Sequence, residues 1–517
     1  MKVARTIKSR NFGAREHLAN LPTRFHHSMA ANLLLASLWL ALVNVCSSSS
    51  ESTTQMPPPD CQHTETPSDA ASILALLRSG NCTGPSWRLR TLDLAQLPAS
   101  EVRPLEGILC PAIVLSVETF TGVEELSFWS SWSALRGSLL FGQGGNTIEY
   151  DAKDGARFTY WDNATALASG VRTTGVASQG YTKVRGSVGA FLKRALSADG
   201  GRVRYGSSLA SFSRDASERV GGRLSPLSSA GVDGTSVVGL WVSAAGVTST
   251  FHFDRWDNLH YILTGEKTVR LAPPSLNAFA TLGIRPCTHP HGRQARRAPA
   301  EQEEVESESS SSSSTRAIST VVTAGQAVFM PAGWLHELQA GSDGAAAALS
   351  LTSQPYEVRD FEGFIKDSSQ HAPFVEEALA GDQSPKAFAS ALLIYMPVFL
   401  SALNIDVSEL HAAFSAGYSA DTLREAGIDL NEAPSLRPPP RCDPTSGRTD
   451  AEIAIIEEGA RRVAARLRSY RQAVLPHYLL MYFDLLLTKV AGKRGVIGML
   501  GWVHACLFDS WEAAYYE

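Results

Sequence analysis

Thr248-Ser249-Thr250-Phe251-His252-Phe253-Asp254-Arg255-Trp256-Asp257-Asn258-Leu259-His260-Tyr261 is the stretch on which the reading of this chain turns. It is answered far downstream by Phe329-Met330-Pro331-Ala332-Gly333-Trp334-Leu335-His336. Alternate residues of a β-strand share a face, so His252 and Asp254 point the same way and can grip one cation together. His336 supplies a third ligand from a Pro-Gly turn after an apolar run. Asn258 keeps even spacing from both and shares their face if the strand stays regular.

Two imidazoles and one carboxylate form the facial triad of non-haem iron(II) oxygenases, a ligand set that leaves positions open for a co-substrate and oxygen. The context repeats that theme. Asp257-Asn258-Leu259 runs on as a strand to Leu263, then a Thr264-Gly265-Glu266 turn, then Lys267-Thr268-Val269-Arg270-Leu271-Ala272-Pro273-Pro274. With these elements in this order the chain resembles the JmjC, cupin-like 2-oxoglutarate oxygenases, particularly the small protein-hydroxylase type. The resemblance implies a mainly β double-stranded β-helix (jelly-roll) core with flanking helices, iron(II) as metal and 2-oxoglutarate as co-substrate. It implies hydroxylation of a protein side chain, with demethylation a variant of the same step.

The resemblance also assigns roles. Lys267 matches the lysine that pairs with the distal carboxylate of 2-oxoglutarate, which a compact ammonium can do as a point charge; an exposed hairpin lysine is the plain alternative. Asn258 matches an asparagine near the co-substrate. Tyr205, on the strand-like step Arg202-Val203-Arg204-Tyr205, stands where related hydroxylases place a co-substrate tyrosine, though its flanks differ. Ser249 matches a hydroxyl that contacts 2-oxoglutarate, yet its odd spacing from His252 sends it to the opposite face of a regular strand. Thr250 is its rival. His260 reads as a pocket wall, Trp256 and Trp334 as mouth or packing residues, and His289 and His291 as solvent-exposed.

The remainder of the chain sets the frame. Its 517 residues, 44% of them hydrophobic, allow one or two domains with flexible additions, and a net charge of -5 gives no basic face for nucleic acid. Residues 1–46 join a basic segment to an apolar run of about 16 residues, the order of a signal peptide or signal anchor, with an organellar transit peptide as the rival. A Ser-Thr-Pro linker occupies 47–69, the JmjC-like domain 70–358, and a helical region 359–517, whose apolar runs are each shorter than about 18 residues and read as buried core or interface helices rather than membrane spans. Within the domain, 294–316 carries a Glu-rich run and six serines and reads as a disordered insertion. Sequons at Asn81 and Asn163 fit a lumenal glycoprotein of the endoplasmic reticulum or secretory pathway. Six cysteines beyond the apolar run allow three bridges, or stay as buried thiols. The partners expected are a protein substrate, no nucleic acid, an N-terminal membrane anchor if the signal is uncleaved, and a second copy through the C-terminal helices. A catalytically silent JmjC-like scaffold is the competing reading.

Overall fold

The computed structural model describes residues 69–82, 87–101, 104–121, 130–137, 147–152, 157–159, 181–186, 203–207, 236–297, 317–367, 370–380, 384–426, 445 and 447–508, all within the unit Pro67–Glu517. The N-terminal segment, nearly all of the Ser-Thr-Pro linker, a strand expected at Leu139–Gly142, a helix expected at Gly189–Leu196, the Asn163 sequon, the insertion beyond Arg297 and the Pro-rich linker Pro434–Asp443 lie outside the described residues.

Two sheets form the β part. The nine-stranded sheet runs β1 (Arg90–Asp93), β2 (Ala112–Leu115), β12 (Ala327–Met330), β9 (Asp257–Thr264), β14 (Ala346–Ser353), β7 (Ser236–Ser243), β6 (Val203–Ser207), β3 (Thr147–Ala152) and β5 (Tyr181–Gly186). The five-stranded sheet runs β11 (Ile318–Thr323), β10 (Glu266–Ala272), β13 (Leu335–Ala340), β8 (Thr248–Phe253) and β4 (Arg157–Phe158). Pairing is antiparallel except for β1 with β2 and β4 with β8. From β7 to β14 the chain passes back and forth between the sheets, with only β10 and β11 consecutive in one of them. The Thr264-Gly265-Glu266 turn is therefore a corner between sheets and not a hairpin. Gly265 has φ 75°, and a Cβ there would lie 2.4 Å from the Ala345 carbonyl oxygen, so only glycine can turn this corner. Lys267 accordingly sits on the facing sheet, buried, and the exposed-hairpin alternative is excluded.

Strand alternation divides the chemistry. Leu259, Tyr261 and Leu263 of β9 pack in an outer cluster with Leu74 and Leu77 of α1 (Ala70–Ser79) and Val114 of β2. Ile262 joins Val269, Leu271, Val328 and Met330 in an apolar plug between the sheets. His260 and Asn258 continue that inner face toward a polar cavity. The segment after α1 is tied to the approach of β2 by the Cys82–Cys110 disulfide, beside an exposed Asn81. Cys287 is a free thiol, so three bridges among the six cysteines are excluded.

The helical part packs against the outer face of β8. Phe253 stacks on Phe279 of a short helix, α4 (Leu276–Leu282), at 5.4 Å; α2 (Val117–Thr121) and α3 (Trp132–Gly137) precede it in the chain. Beyond β14 come α5 (Tyr356–Lys366), α6 (Pro373–Ala380), α7 (Pro385–Leu403), α8 (Val407–Gly417), α9 (Ala420–Glu425), α10 (Asp450–Arg468) and α11 (Leu475–Phe508), the last kinked at Gly492. The apolar run of α7 exceeds the short runs expected. It is the one helix among the described residues long and apolar enough to cross a membrane, yet 61% of its apolar window is buried inside the protein. Aromatic residues such as Phe361, Tyr478 and Tyr482 fill the core around it, each contributing roughly 1.5–3 kcal/mol by burial.

Between α10 and α11, Arg471 clasps the two parts together. Its guanidinium donates to Glu357 of α5 at 2.8 Å and to Asp257 of β9 at 3.0 Å, and the same Asp257 oxygen accepts the Ala332 N–H at 2.8 Å. At the next residue, Gly333, φ is 86° and a Cβ would meet the Ala473 carbonyl oxygen at 2.6 Å. The turn before His336 is thus fitted against the helical part.

Candidate metal centre

His252 on β8 and His336 on β13 are directly opposed in the antiparallel register, their ring centroids 4.3 Å apart. Asp254 follows the end of β8, and its carbonyl accepts the Gly333 N–H at 2.8 Å, which locks the two ligand-bearing segments together. His336 Nε2 lies 3.7 Å from Asp254 Oδ2, and the ligand atoms of all three residues fall within 4.8 Å of one another. Each ring is oriented by the carbonyl two residues before it: His252 Nδ1 bonds Thr250 O at 2.7 Å and His336 Nδ1 bonds Trp334 O at 2.9 Å. Nδ1 therefore carries the proton on each ring, and Nε2 is the nitrogen presented to a metal.

Electrostatics agrees with that tautomer. Burial, then the neighbouring His336, pulls His252 down to about 4 against the opposing pull of Asp254, so the ring is neutral at pH 7. For Asp254 burial is the largest single effect and acts upward, but His252, His336, Arg293 and Arg255 together outweigh it and hold the carboxyl below its usual range. Two imidazoles that present Nε2 and an ionised carboxylate on one side of a cavity are the donor set that would suit a divalent first-row metal.

The cavity, about 390 Å³, lies between the sheets. Asn258 lines it, and its Oδ1 is buried with no hydrogen-bond partner, which marks it as an acceptor awaiting a donor. His260 lines it too, with Nδ1 on Ser350 Oγ at 2.8 Å and Nε2 on Lys267 Nζ at 3.2 Å. Burial, then Lys267, keeps His260 well below its ordinary value, so the lysine donates to a neutral ring. Burial pulls Lys267 itself down to about 7.

Ser249 lines the cavity after all, and Thr250 does not. His336 opposes His252 but Leu338 opposes Ser249, so three residues of β8 span what two span on β13. This bulge inverts the parity of β8 and turns Ser249 onto the ligand face. Thr250 donates its hydroxyl to Phe158 O at 3.1 Å, toward β4. Tyr205 belongs to β6, in register with Ser243 of β7; its side chain lies outside what is described. Trp256 lines the cavity, whereas Trp334 is fully buried against Trp87 and donates to Leu109 O.

Two expectations are corrected. His289 and His291 are buried rather than exposed: His289 Nε2 bonds the Thr422 carbonyl and its Nδ1 accepts the His291 N–H. The insertion does not begin disordered at Gln294 either. Gln294 bridges to His252, the Ala295 N–H reaches Phe251 O at 2.8 Å, and Arg293 and Gln294 line the cavity. Ser350 and Thr352 of β14 also line it, and the alternation Leu349-Ser350-Leu351-Thr352 carried that signal. Nothing in the local sequence marked Arg293.

Residues 171–351 match the family model described as a cupin-like domain, so the JmjC-type, cupin-like resemblance holds over that region. A comparison with curated proteins gives no match. Among solved structures, the Escherichia coli ribosomal oxygenase YcfD is similar at 14% identity and TM-score 0.27, over 50% of this chain and 52% of that one. A second structure of the same bacterial protein gives 13% identity and TM-score 0.29, over 50% and 53%. The match thus spans about half the length of those structures.

Proposed function

We propose that this cupin-like chain is an iron(II)- and 2-oxoglutarate-dependent oxygenase that hydroxylates a protein side chain, with its β part wound as a double-stranded β-helix. The observation that carries the reading is the cluster of His252, Asp254 and His336, with Nδ1 of both rings pinned, facing a cavity also lined by Ser249, Asn258 and His260. Iron(II) with 2-oxoglutarate would supply oxygen activation, 2-oxoglutarate leaving as succinate and carbon dioxide while one oxygen atom goes to the substrate.

The residues divide the remaining work. His252, Asp254 and His336 hold the metal. The Asn258 amide N–H and the Ser249 hydroxyl donate to the co-substrate and orient it, and Lys267 neutralises its distal carboxylate after releasing His260. The apolar plug of Ile262, Val269, Leu271 and Met330 closes the other end of the inter-sheet space and excludes water.

A second reading draws on one observation. Lys267 is hydrogen-bonded to His260 and does not line the cavity, as in a module that binds metal without turning over. Succinate release from purified protein with iron(II), across candidate peptides, separates the two, with His252→Ala as the control. Release above the control supports the oxygenase; release equal to it across the peptides leaves the silent module. For location we propose the secretory pathway: the Cys82–Cys110 disulfide suits an oxidising compartment, and Asn81 is exposed for glycosylation. Sensitivity of the expressed protein to a glycosidase tests this.

A further inference from the structure

The loop that follows α4 folds back along β8 and is fastened at every step. Arg285 N–H reaches Gln294 O, Arg293 N–H reaches Arg285 O, and Phe253 N–H reaches Arg293 O at 3.3 Å. Arg285 Nη1 donates to Ala295 O at 2.9 Å. A Cβ at Gly292 would lie 2.8 Å from the Pro286 carbonyl oxygen and 2.9 Å from that of His289, so the loop closes tightly upon itself. At its end Arg293 adopts φ 69°, a left-handed conformation that glycine or asparagine takes more readily. The chain nevertheless keeps an arginine there, and its side chain, 41% exposed, lines the cavity. Strain of this kind in a well-fastened loop is a mark of function.

The charges at this mouth are uneven. Arg255 also lines the cavity but is paired with Glu362 at 3.2 Å. The carboxylate facing Arg293 is Asp254, its Oδ1 at 3.8 Å, too long for a hydrogen bond, and that group is committed to the metal. A divalent cation at Asp254 would leave the guanidinium without a tight counter-charge, in a cavity also lined by Trp256 and Gln294. We propose that Arg293 is a specificity-determining residue that receives a carboxylate of the substrate, so that the enzyme selects an acidic peptide segment next to the residue it modifies. This rests on the oxygenase reading for what happens to the segment, but the recognition can be tested apart from it.

The probe is a fluorescent octapeptide of alternating glycine and glutamate, compared with its glutamine and lysine counterparts by anisotropy, in Mn(II) and 2-oxoglutarate. A charge-assisted pair predicts that wild type prefers the glutamate peptide about tenfold or more over the glutamine peptide. Arg293→Lys should keep most of that preference and Arg293→Gln should abolish it. Arg293→Gly removes the charge and suits the positive φ, so it should lose the preference while melting no lower than wild type, an outcome a merely structural arginine would not give. A wild type indifferent to glutamate against glutamine, or an Arg293→Gln protein that keeps the preference, overturns the proposal. Calorimetric titration of 2-oxoglutarate on the same proteins separates the two readings. If 2-oxoglutarate fails to bind wild type while the Arg293-dependent preference persists, the oxygenase reading falls and the arginine's role stands.

Discussion

Among the described residues two pairs of buried histidines lie ring against ring, and one of them has a carboxylate within ligand distance. His252 and His336 sit with centroids 4.3 Å apart, His289 and His291 5.8 Å apart. Burial lowers His252 to about 4 and His289 to about 3, so burial and neutrality do not distinguish them. The difference lies in what each ring faces. His252 and His336 spend Nδ1 on their own strands and turn Nε2 toward Asp254 and a cavity, whereas His289 spends both nitrogens on backbone groups. A histidine becomes a ligand when one nitrogen is fixed and the other meets a carboxylate across open space.

The largest expected effect breaks the first pair. His336→Ala should abolish tight Mn(II) binding by calorimetry, whereas His289→Ala should leave metal affinity within about twofold and cost stability instead, roughly 1–3 kcal/mol for the hydrogen bonds lost. Next is the turn that delivers His336. Gly333→Ala places a methyl against Ala473 O on a positive φ, and denaturant titration should record a loss of roughly 1–3 kcal/mol or more, with weakened metal binding.

Lys267 sharpens the comparison through pH. Burial sets it at about 7 without ligand, and a bound carboxylate favours its protonated form. Below about pH 7 the lysine is charged in both states and 2-oxoglutarate affinity should be flat. Above it, binding must take up a proton, so affinity should fall by up to about tenfold per pH unit, and Lys267→Met should remove that slope. The second histidine pair gives the opposite kind of pH effect, on stability alone. His289 stays neutral in the fold while the unfolded chain takes up a proton below about 6.5, so stability should be lost as pH falls from 6.5 toward 3, and His289→Asn should flatten that part of the melting-temperature profile. The smallest effect concerns the bulge. Ser249→Ala should weaken 2-oxoglutarate binding severalfold, whereas Thr250→Val should cost only roughly 0.5–1.5 kcal/mol of stability, both measurable on purified protein.

What could be read from residues alone was what depends on local alternation. The shared side of His252 and Asp254 follows from two-residue periodicity, and the glycine marked a turn before Lys267, though not that the turn is a corner between sheets. Asn258 reaches the cavity by another route than the regular strand expected: β8 ends at Phe253, and β9 begins at Asp257 in the facing sheet. Ser249 escaped because one extra residue in β8 reverses that periodicity, and a bulge is defined by the partner strand, β13, which lies far away in sequence. The pairing of Lys267 with His260 escaped because it crosses from one sheet to the other. Arg293, Gln294 and the buried His289 were obscured by the Glu- and Ser-rich sequence after them, although the glycine and prolines around them close a compact loop. The burial of α7 agrees with the core or interface helices expected there, but its length could not have decided the matter, since composition records apolarity but not whether the cover is lipid or protein.

The Arg471 clasp has a consequence for biosynthesis. The turn carrying His336 leans on Arg471 and Ala473, which the ribosome adds only after all of β13 and β14 and most of the helices. During translation the three ligands therefore exist for some time without the brace that sets their spacing. A metal held there would be loaded late, and a nascent chain halted before Arg471 would carry His252, Asp254 and His336 yet lack the brace on their turn.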